Sequence, residues 1–473
     1  MPEVYSLNNS AGNFIASTHL QERAIRSIYG MGNLDWKDAL FLTFAARNDW
    51  SSTLSASNNS YFYPSLSLSG LVSNMVALPV MVDYLKVYGS WAEVSSDLNP
   101  YQISPVYANS GSYGGLPRIG YPSGIINPGI APEKSTSLEV GMAAQLLKSR
   151  LGFDFTYYQV VDENQILDLS ISEASGFTSR KVNGNEYTTT GFELMLNAVP
   201  VKTSRLQWST QLNLSHMVKR LTGIYGDEEK YGNFTLDERV DNYYSTAWMK
   251  APDGALILNE ATGLPVQDPF PRSFGHTEPD LRFGWTNSVK VGKLDIQADF
   301  DGMLGGVLRS TTVEKMWWGG KHPESTTYRD AQYASEEPIY VPKGVNVVSG
   351  ELVTDITGAV VSDTRTFQTN TTAVNWQTWA QNYPYRARVT TDESEVFANM
   401  LPRTFVKLRR LSVAYDASAL LATGGIKKVE LSAFGYNLWM WKKAMIIDPD
   451  YGDDDNLQDP SARYVGLGLN LTF

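Results

Sequence analysis

From Tyr464 to the end of the chain, apolar and polar positions alternate without a break. Val465, Leu467, Leu469, Leu471 and Phe473 fall on one side; Tyr464, Gly466, Gly468, Asn470 and Thr472 fall on the other. Successive side chains of a strand point to opposite faces, so the stretch predicts a strand with one oily face and one small or polar face. The same period returns upstream. Leu40, Leu42, Phe44 and Ala46 alternate with Phe41, Thr43, Ala45 and Arg47. Leu85, Val87, Gly89 and Trp91 oppose Tyr84, Lys86, Tyr88 and Ser90. Further strands are predicted around Leu138–Ala144, Leu151–Tyr157, Phe192–Ala198, Leu206–Leu214, Asp280–Val291, Leu294–Phe300, 403–416 and 427–440. A first strand is expected within 18–33 and another at Tyr61–Leu71. The alternation slips phase at Arg409-Arg410, which predicts a β-bulge. Residues 1–17 read as loop. No helix and no internal repeat stands out.

The predicted connections alternate in length. Short ones fall near 34–38, 73–81, 147–150, 199–204, 291–293 and 417–426. Long ones fall near 51–60, 95–133, 165–186, 221–279, 309–402 and 441–461. Outer-membrane β-barrels have this asymmetry, with short periplasmic turns and long outer loops. The polar face carries Asp154, Glu193, Asp295, Asp299 and Asp301. Such carboxylates are costly in a packed core but not in a wet lumen. The count is about thirteen strands, or fifteen if Tyr243–Lys250 and Ala255–Leu258 add a pair. Either count is odd, whereas single-chain bacterial barrels have an even one. The expectation is therefore the C-terminal part of a larger antiparallel transmembrane barrel, with its N-terminal strands on another piece of protein.

Composition narrows the function. The 473 residues carry a net charge of −11, which argues against nucleic acid as a partner. There is no cysteine, hence no disulfide framework and no Cys-based metal site. No stretch reaches the roughly 18 apolar residues of a membrane helix, a requirement that barrel strands escape. MPEVYSLNNSAGNF is no signal peptide, which a barrel bound for an outer membrane needs. Residue 1 is therefore not expected to be the natural start.

Several stretches, in order and spacing, resemble the C-terminal barrel of the SusC/RagA family of TonB-dependent outer-membrane transporters. They include Arg47-Asn48-Asp49-Trp50-Ser51-Ser52, Tyr63-Pro64-Ser65-Leu66-Ser67, Leu85-Lys86-Val87-Tyr88-Gly89-Ser90 and Asn127-Pro128 through Glu133-Lys134-Ser135. Asp154 to Tyr158, Gly191-Phe192-Glu193-Leu194, Val406-Lys407-Leu408-Arg409-Arg410-Leu411 and Gly435-Tyr436-Asn437-Leu438 follow, then Asp448-Pro449-Asp450 and the Phe473 ending. The resemblance covers residues 18–473. It implies a 22-stranded barrel with a plugged lumen, a SusD-type surface lipoprotein as lid, energy from TonB, and import of oligosaccharides or oligopeptides. Plug, TonB box and early strands are missing from this stretch, so another polypeptide is expected to bring them. Val465, Leu467, Leu469, Leu471 and Phe473 would face outer-membrane lipid on the barrel-closing strand. A terminal strand ending in Phe also resembles the signal read by the barrel-assembly machinery.

No catalytic constellation appears, so no enzyme is expected. His19, His216, His276 and His322 are scattered without metal-ligand spacing. Asp453, Asp454 and Asp455 offer oxygens of the kind calcium takes but lack a calcium-loop spacing; a solvated acidic loop is the expectation, and no cofactor. The longest connection holds Trp317, Trp318, Trp376, Trp379, Tyr383 and Tyr385. Flat rings stack on sugars, grip peptide side chains or anchor an interface such as the lid; the competing expectation is that they pack the loop on itself. Trp208 and Trp285, on oily faces, suit the lipid-facing aromatic girdle. The alternatives to a transporter are an outer-membrane adhesin or scaffold, and a soluble glycan-binding β-sandwich.

Overall fold

The computed structural model describes residues 20–473 except 105, 115, 246, 356, 383–386, 390–394, 398–399, 422–423, 445, 451 and 453. Thirteen strands form one sheet in which each pairs with the next in sequence order. They are β1 (Ile25–Trp36), β2 (Leu40–Ser51), β3 (Ser60–Leu71), β4 (Val82–Ser96), β5 (Glu133–Leu146), β6 (Leu151–Glu163) and β7 (Glu186–Lys202). The rest are β8 (Leu206–Gly223), β9 (Leu281–Val291), β10 (Leu294–Leu304), β11 (Phe405–Asp416), β12 (Lys428–Lys442) and β13 (Tyr464–Thr472). All twelve pairings are antiparallel. The expected thirteen is thus met. The extra pair is not in the wall: Asn242–Ser245 pairs with Arg272–His276 in a separate two-stranded sheet.

Register carries the alternation across the wall. Gly70, Val87, Met142, Phe155, Leu194, Leu214, Phe283, Gly302, Val406 and Trp441 sit opposite one another in turn, a continuous apolar row. One residue over, Ser69, Tyr88, Gly141, Thr156, Glu193, Ser215 and Arg282 form a row on the other face. The apolar face is open: Val465 is 77% and Leu467 87% exposed, and Val87, Met142, Phe155 and Trp441 are exposed too. A contiguous apolar face of this kind is stable only against lipid or protein. Among the described residues no second large sheet packs on it, so the sandwich alternative fails.

All six long connections leave one end of the sheet (52–59, 97–132, 164–185, 224–280, 305–404 and 443–463), and the short ones leave the other. At the β1–β2 turn both Lys37 (φ 56°) and Asp38 (φ 49°) are left-handed, the geometry that suits a tight hairpin. At the long-loop end, the Arg47–Ser52 motif fixes the first loops. Asp49 accepts from Arg47 Nε and Tyr63 Oη, both at 2.7 Å. Asp97 accepts from Ser51, Thr53 and Arg23, closing the loops over Leu54, Tyr61, Leu98 and Ile130.

Rings lie flat over cross-strand glycines on the polar face. A Cβ on Gly141 would meet the Tyr88 ring at 2.3 Å. Tyr88 reaches over it, its hydroxyl donating to Asp154 Oδ1 at 3.0 Å and lying 2.7 Å from Thr156 Oγ1. A Cβ on Gly191 would meet both the Tyr158 ring and the His216 carbonyl oxygen at 2.5 Å. The backbone oxygen cannot swing aside, so Gly191→Ala is expected to cost about 1–3 kcal/mol. The check is a smaller fraction of heat-modifiable, folded barrel on a gel, with Gly284→Ala, where space is open, unchanged.

The bulge falls where expected. Register shifts between Asp299 and Phe300 on one side and between Leu408 and Arg410 on the other, leaving Arg409 as the extra residue of β11. Both arginines then share the polar face. Arg409 Nε meets the Asp301 carboxylate at 2.7 Å and Arg410 Nε meets Asp299 Oδ2 at 2.7 Å.

Candidate functional site

The connections 224–280, 305–404 and 443–463 build a small domain of their own over the long-loop end. Its spine is Val307–Ser310, flanked by Met400–Pro402 antiparallel and Asp454–Asp455 parallel. Ser310 is fully buried and starts the helix α1 (Thr311–Trp318): its hydroxyl accepts from Val313 N at 3.1 Å and donates to Asp455 Oδ2 at 3.1 Å. Gly319 and Gly320 (φ +66°) end it. Two shorter helices follow, α2 (Arg329–Tyr333) and α3 (Trp376–Asn382). Asn375 Oδ1 receives Gln377 N at 2.9 Å at the start of α3. These helices lie outside what the alternation predicts.

The helices bury one side. Trp317, Trp376 and Trp379 join Trp248, Leu258, Leu308, Val313, Val374, Leu401 and Ile447 in one core. Trp317 is 2% exposed and stacks on His322 with ring centroids 4.3 Å apart. Trp376 Nε1 donates to Ser325 O at 2.8 Å. Burial pushes the Tyr340 hydroxyl up to about 12, as expected for a ring wedged among Tyr328, Trp376 and Trp379. Trp317, Trp376 and Trp379 thus pack the loop on itself, the competing expectation, although Trp317 and Trp376 also reach the wall of a cleft. An indole with its faces taken by neighbours has little surface left for a ligand or lid.

Trp318 is different. It is 57% exposed and borders an open cleft of about 710 Å³ with Lys321, Arg329, Tyr333, Gln377 and Gln381. Arg329 Nη2 donates to Gly320 O at 2.6 Å and lies 3.2 Å from Ser325 Oγ, which holds the guanidinium at the rim. Tyr383 and Tyr385 lie outside the described residues, as do His19 and Asp453. Asp454 and Asp455 form the strand that flanks the spine in parallel, and Asp455 is buried against Ser310 rather than solvated. Among the described residues no three carboxylate or histidine groups gather as a metal site. His216 lies beside the Asp280 carbonyl, His276 beside the Asp280 carboxylate and His322 under Trp317.

An ion network missed by the alternation clamps the last loop to the wall. Lys407 Nζ donates to Asp448 Oδ2 at 2.7 Å, Asp450 Oδ2 at 2.9 Å and Ser461 Oγ at 3.1 Å. Arg409 Nη2 donates to Asp450 at 2.5 Å. The signal was in the sequence: Val406–Leu411 and Asp448-Pro449-Asp450, quoted separately above, meet here. Burial pushes the Asp448 carboxyl up, but the Lys407 and Ser461 hydrogen bonds outweigh it and hold it below the usual carboxylate range. A lowered folded value stabilises above the unfolded value near about 4 and is lost as pH falls through the folded one. Segment 443–463 is thus expected to stay docked at about pH 4 and to loosen only below it. Hydroxyl-radical footprinting across an acid series checks this; loosening already at about pH 5 would contradict it.

A family profile described as "TonB dependent receptor-like, beta-barrel" matches residues 3–438. The chain belongs to that family. This TonB-dependent receptor barrel is 21% identical over 526 residues to TonB-dependent receptor P3 of Formosa agariphila, covering 99% of this chain and 47% of the relative. It is 23% identical over 507 residues to TonB-dependent receptor P26 of the same organism, covering 95% and 46%. The chain spans about half the length of these curated relatives. Among solved structures, the RagAB peptide transporter superposes with a TM-score of 0.67 at 15% identity, over 100% of this chain and 50% of that one. The RagAB peptide importer in its closed-closed state gives 0.68, also at 15% identity and with the same coverage. The SusC/RagA resemblance holds, and with it the barrel fold and an outer-membrane place in a Gram-negative bacterium. The family is one of receptors and transporters rather than of enzymes.

Proposed function

We propose that this chain supplies the C-terminal wall and outer loops of a SusC-type active transporter. It works with a plug-bearing N-terminal part, a SusD-type lipoprotein lid and TonB, and imports oligosaccharides or oligopeptides. Strand direction supports the division. Thirteen antiparallel strands leave β1 and β13 running the same way, so an antiparallel closure takes an odd number of further strands between them. The observation that carries the transport reading is the loop domain: a separately cored cap over one end of the wall, with an open cleft and the exposed Trp318 ring. RagAB is named a peptide transporter, and that substrate stays with RagAB.

The test is uptake of fluorescent oligosaccharides and oligopeptides by cells expressing the complete protein with its neighbouring surface lipoprotein. Uptake is expected to depend on TonB, and the lipoprotein to co-purify in detergent. Surface binding without TonB-dependent uptake would assign the protein to adhesion or scaffolding instead.

A further inference from the structure

The cleft beside Trp318 carries a charge opposite to that of the chain. The chain's net charge is −11, yet among the described residues no carboxylate lines this cleft, and Lys321 and Arg329 both do. Arg329 is held by a backbone carbonyl and a hydroxyl rather than by an acid. Several other arginines are matched with acids, Arg365 with Asp363, Arg272 with Asp268 and Arg282 with Glu278, while Arg150 and Arg220, outside this cleft, also rest on carbonyls. Gly320 makes the arrangement possible. Its φ of +66° turns the chain after α1, and a Cβ there would meet Arg329 Nη2 at 2.9 Å. Two cations without acid partners among the described residues, beside an exposed indole and the Gln377 and Gln381 amides, complement a ligand with an anionic group, a flat apolar face and several hydroxyls.

Secondary structure decides between two ligand classes. Peptide backbones are commonly gripped by an open strand edge. The lining residues here lie in α1, α2, α3, the turn at 319–321 and the short helix Pro323–Thr326. They offer side-chain amides and a ring, and no strand edge. We propose that this cleft binds acidic oligosaccharide, with Trp318 stacking on a sugar face and Lys321 and Arg329 receiving its carboxylate or sulfate group. The proposal rests on the transporter reading and names its substrate class.

The test is calorimetric titration of the complete detergent-solubilised protein with three probes: tetragalacturonate, the same tetrasaccharide with its carboxyls reduced to alcohols, and hexaglutamate. Tetragalacturonate is expected to bind about tenfold tighter than its neutral counterpart, and less tightly as salt rises. Lys321→Gln and Arg329→Gln should each lose about threefold for the acidic sugar, together accounting for its preference, and weaken the neutral one less, which separates lost charge from lost fold. Trp318→Ala should weaken both sugars. Equal affinity for the two sugars, tighter binding of hexaglutamate, or no sugar binding would each overturn the proposal. Equal affinities alongside TonB-dependent uptake would sink the acidic preference alone. Acid-selective binding without TonB-dependent uptake would sink the transporter reading instead.

Discussion

Replacing Lys407 by methionine is expected to free the segment 443–463 while leaving the wall assembled. The Lys407 side chain is 2% exposed and that of Asp448 is 3% exposed. Methionine nearly fills the volume but leaves Asp448 buried with Ser461, at 2.6 Å, as its one side-chain donor among the described residues. Arg409 keeps Asp450, so the loss centres on one stranded carboxylate. Removing one member of a buried charge pair typically costs about 3–5 kcal/mol, more than a docked surface loop can absorb. Trypsin should then cut at Lys442, Lys443 or Arg463 well before it cuts the original protein, while the folded band on a heat-modifiability gel persists. Lys407→Met combined with Asp448→Asn should recover part of the protection, because an amide is cheaper to bury than a charge. Unchanged cleavage in the single variant would mean that the loop is held by Ala444 and Ile447 packing alone.

Trp317→Ala is expected to have the second large effect, and a different reach. The indole is among the largest fully buried side chains of the described residues, stacked on His322 and packed in the loop core. Truncating a core tryptophan costs about 3–5 kcal/mol. A cap with so few core residues has little stability to spare, and its helices α1 to α3 cannot persist alone at such lengths. Hydrogen exchange should accelerate across 311–382 and at 444–447. It should stay slow in β7 to β10, whose backbone bonds are paid out along the sheet and not through the cap. Trp318→Ala, at an exposed ring, should leave exchange unchanged. If both variants behaved alike, burial would not be what separates these two neighbours.

The wall was legible because its signal is binary and repeated. Each of β2, β4, β5, β6, β10 and β13 shows apolar residues two apart, and the slip at Arg409 was visible as a break in that count. The cap was not, because its residues answer to packing rather than to period. Ser310, the α1 run with Val313 and Trp317 one turn apart, and Gly319-Gly320 together spell a capped helix. Eight residues are too few for that signal to stand out beside a strand pattern. The aromatic residues of the long connection were found by composition, but composition does not tell Trp317 from Trp318. Only the helix does, by turning one indole into the core and its neighbour out. The Lys407 network escaped notice because its members are 41 to 54 residues apart, joined by a loop whose path no local pattern fixes.

The extra residue at Arg409 makes β11 behave like text with a reading frame. Leu408 faces Phe300 and Arg410 faces Asp299, so Arg409 is a step that β10 does not count. Add or remove one residue elsewhere in the strand and every side chain beyond it changes face, or the strand slides against its neighbours. The loops have no such frame, since they are counted in contacts rather than in steps of two. Length changes between relatives should therefore collect in the six long connections, or enter the wall two residues at a time, with the bulges at Asp83, within 199–200 and at Arg409 as odd steps already absorbed.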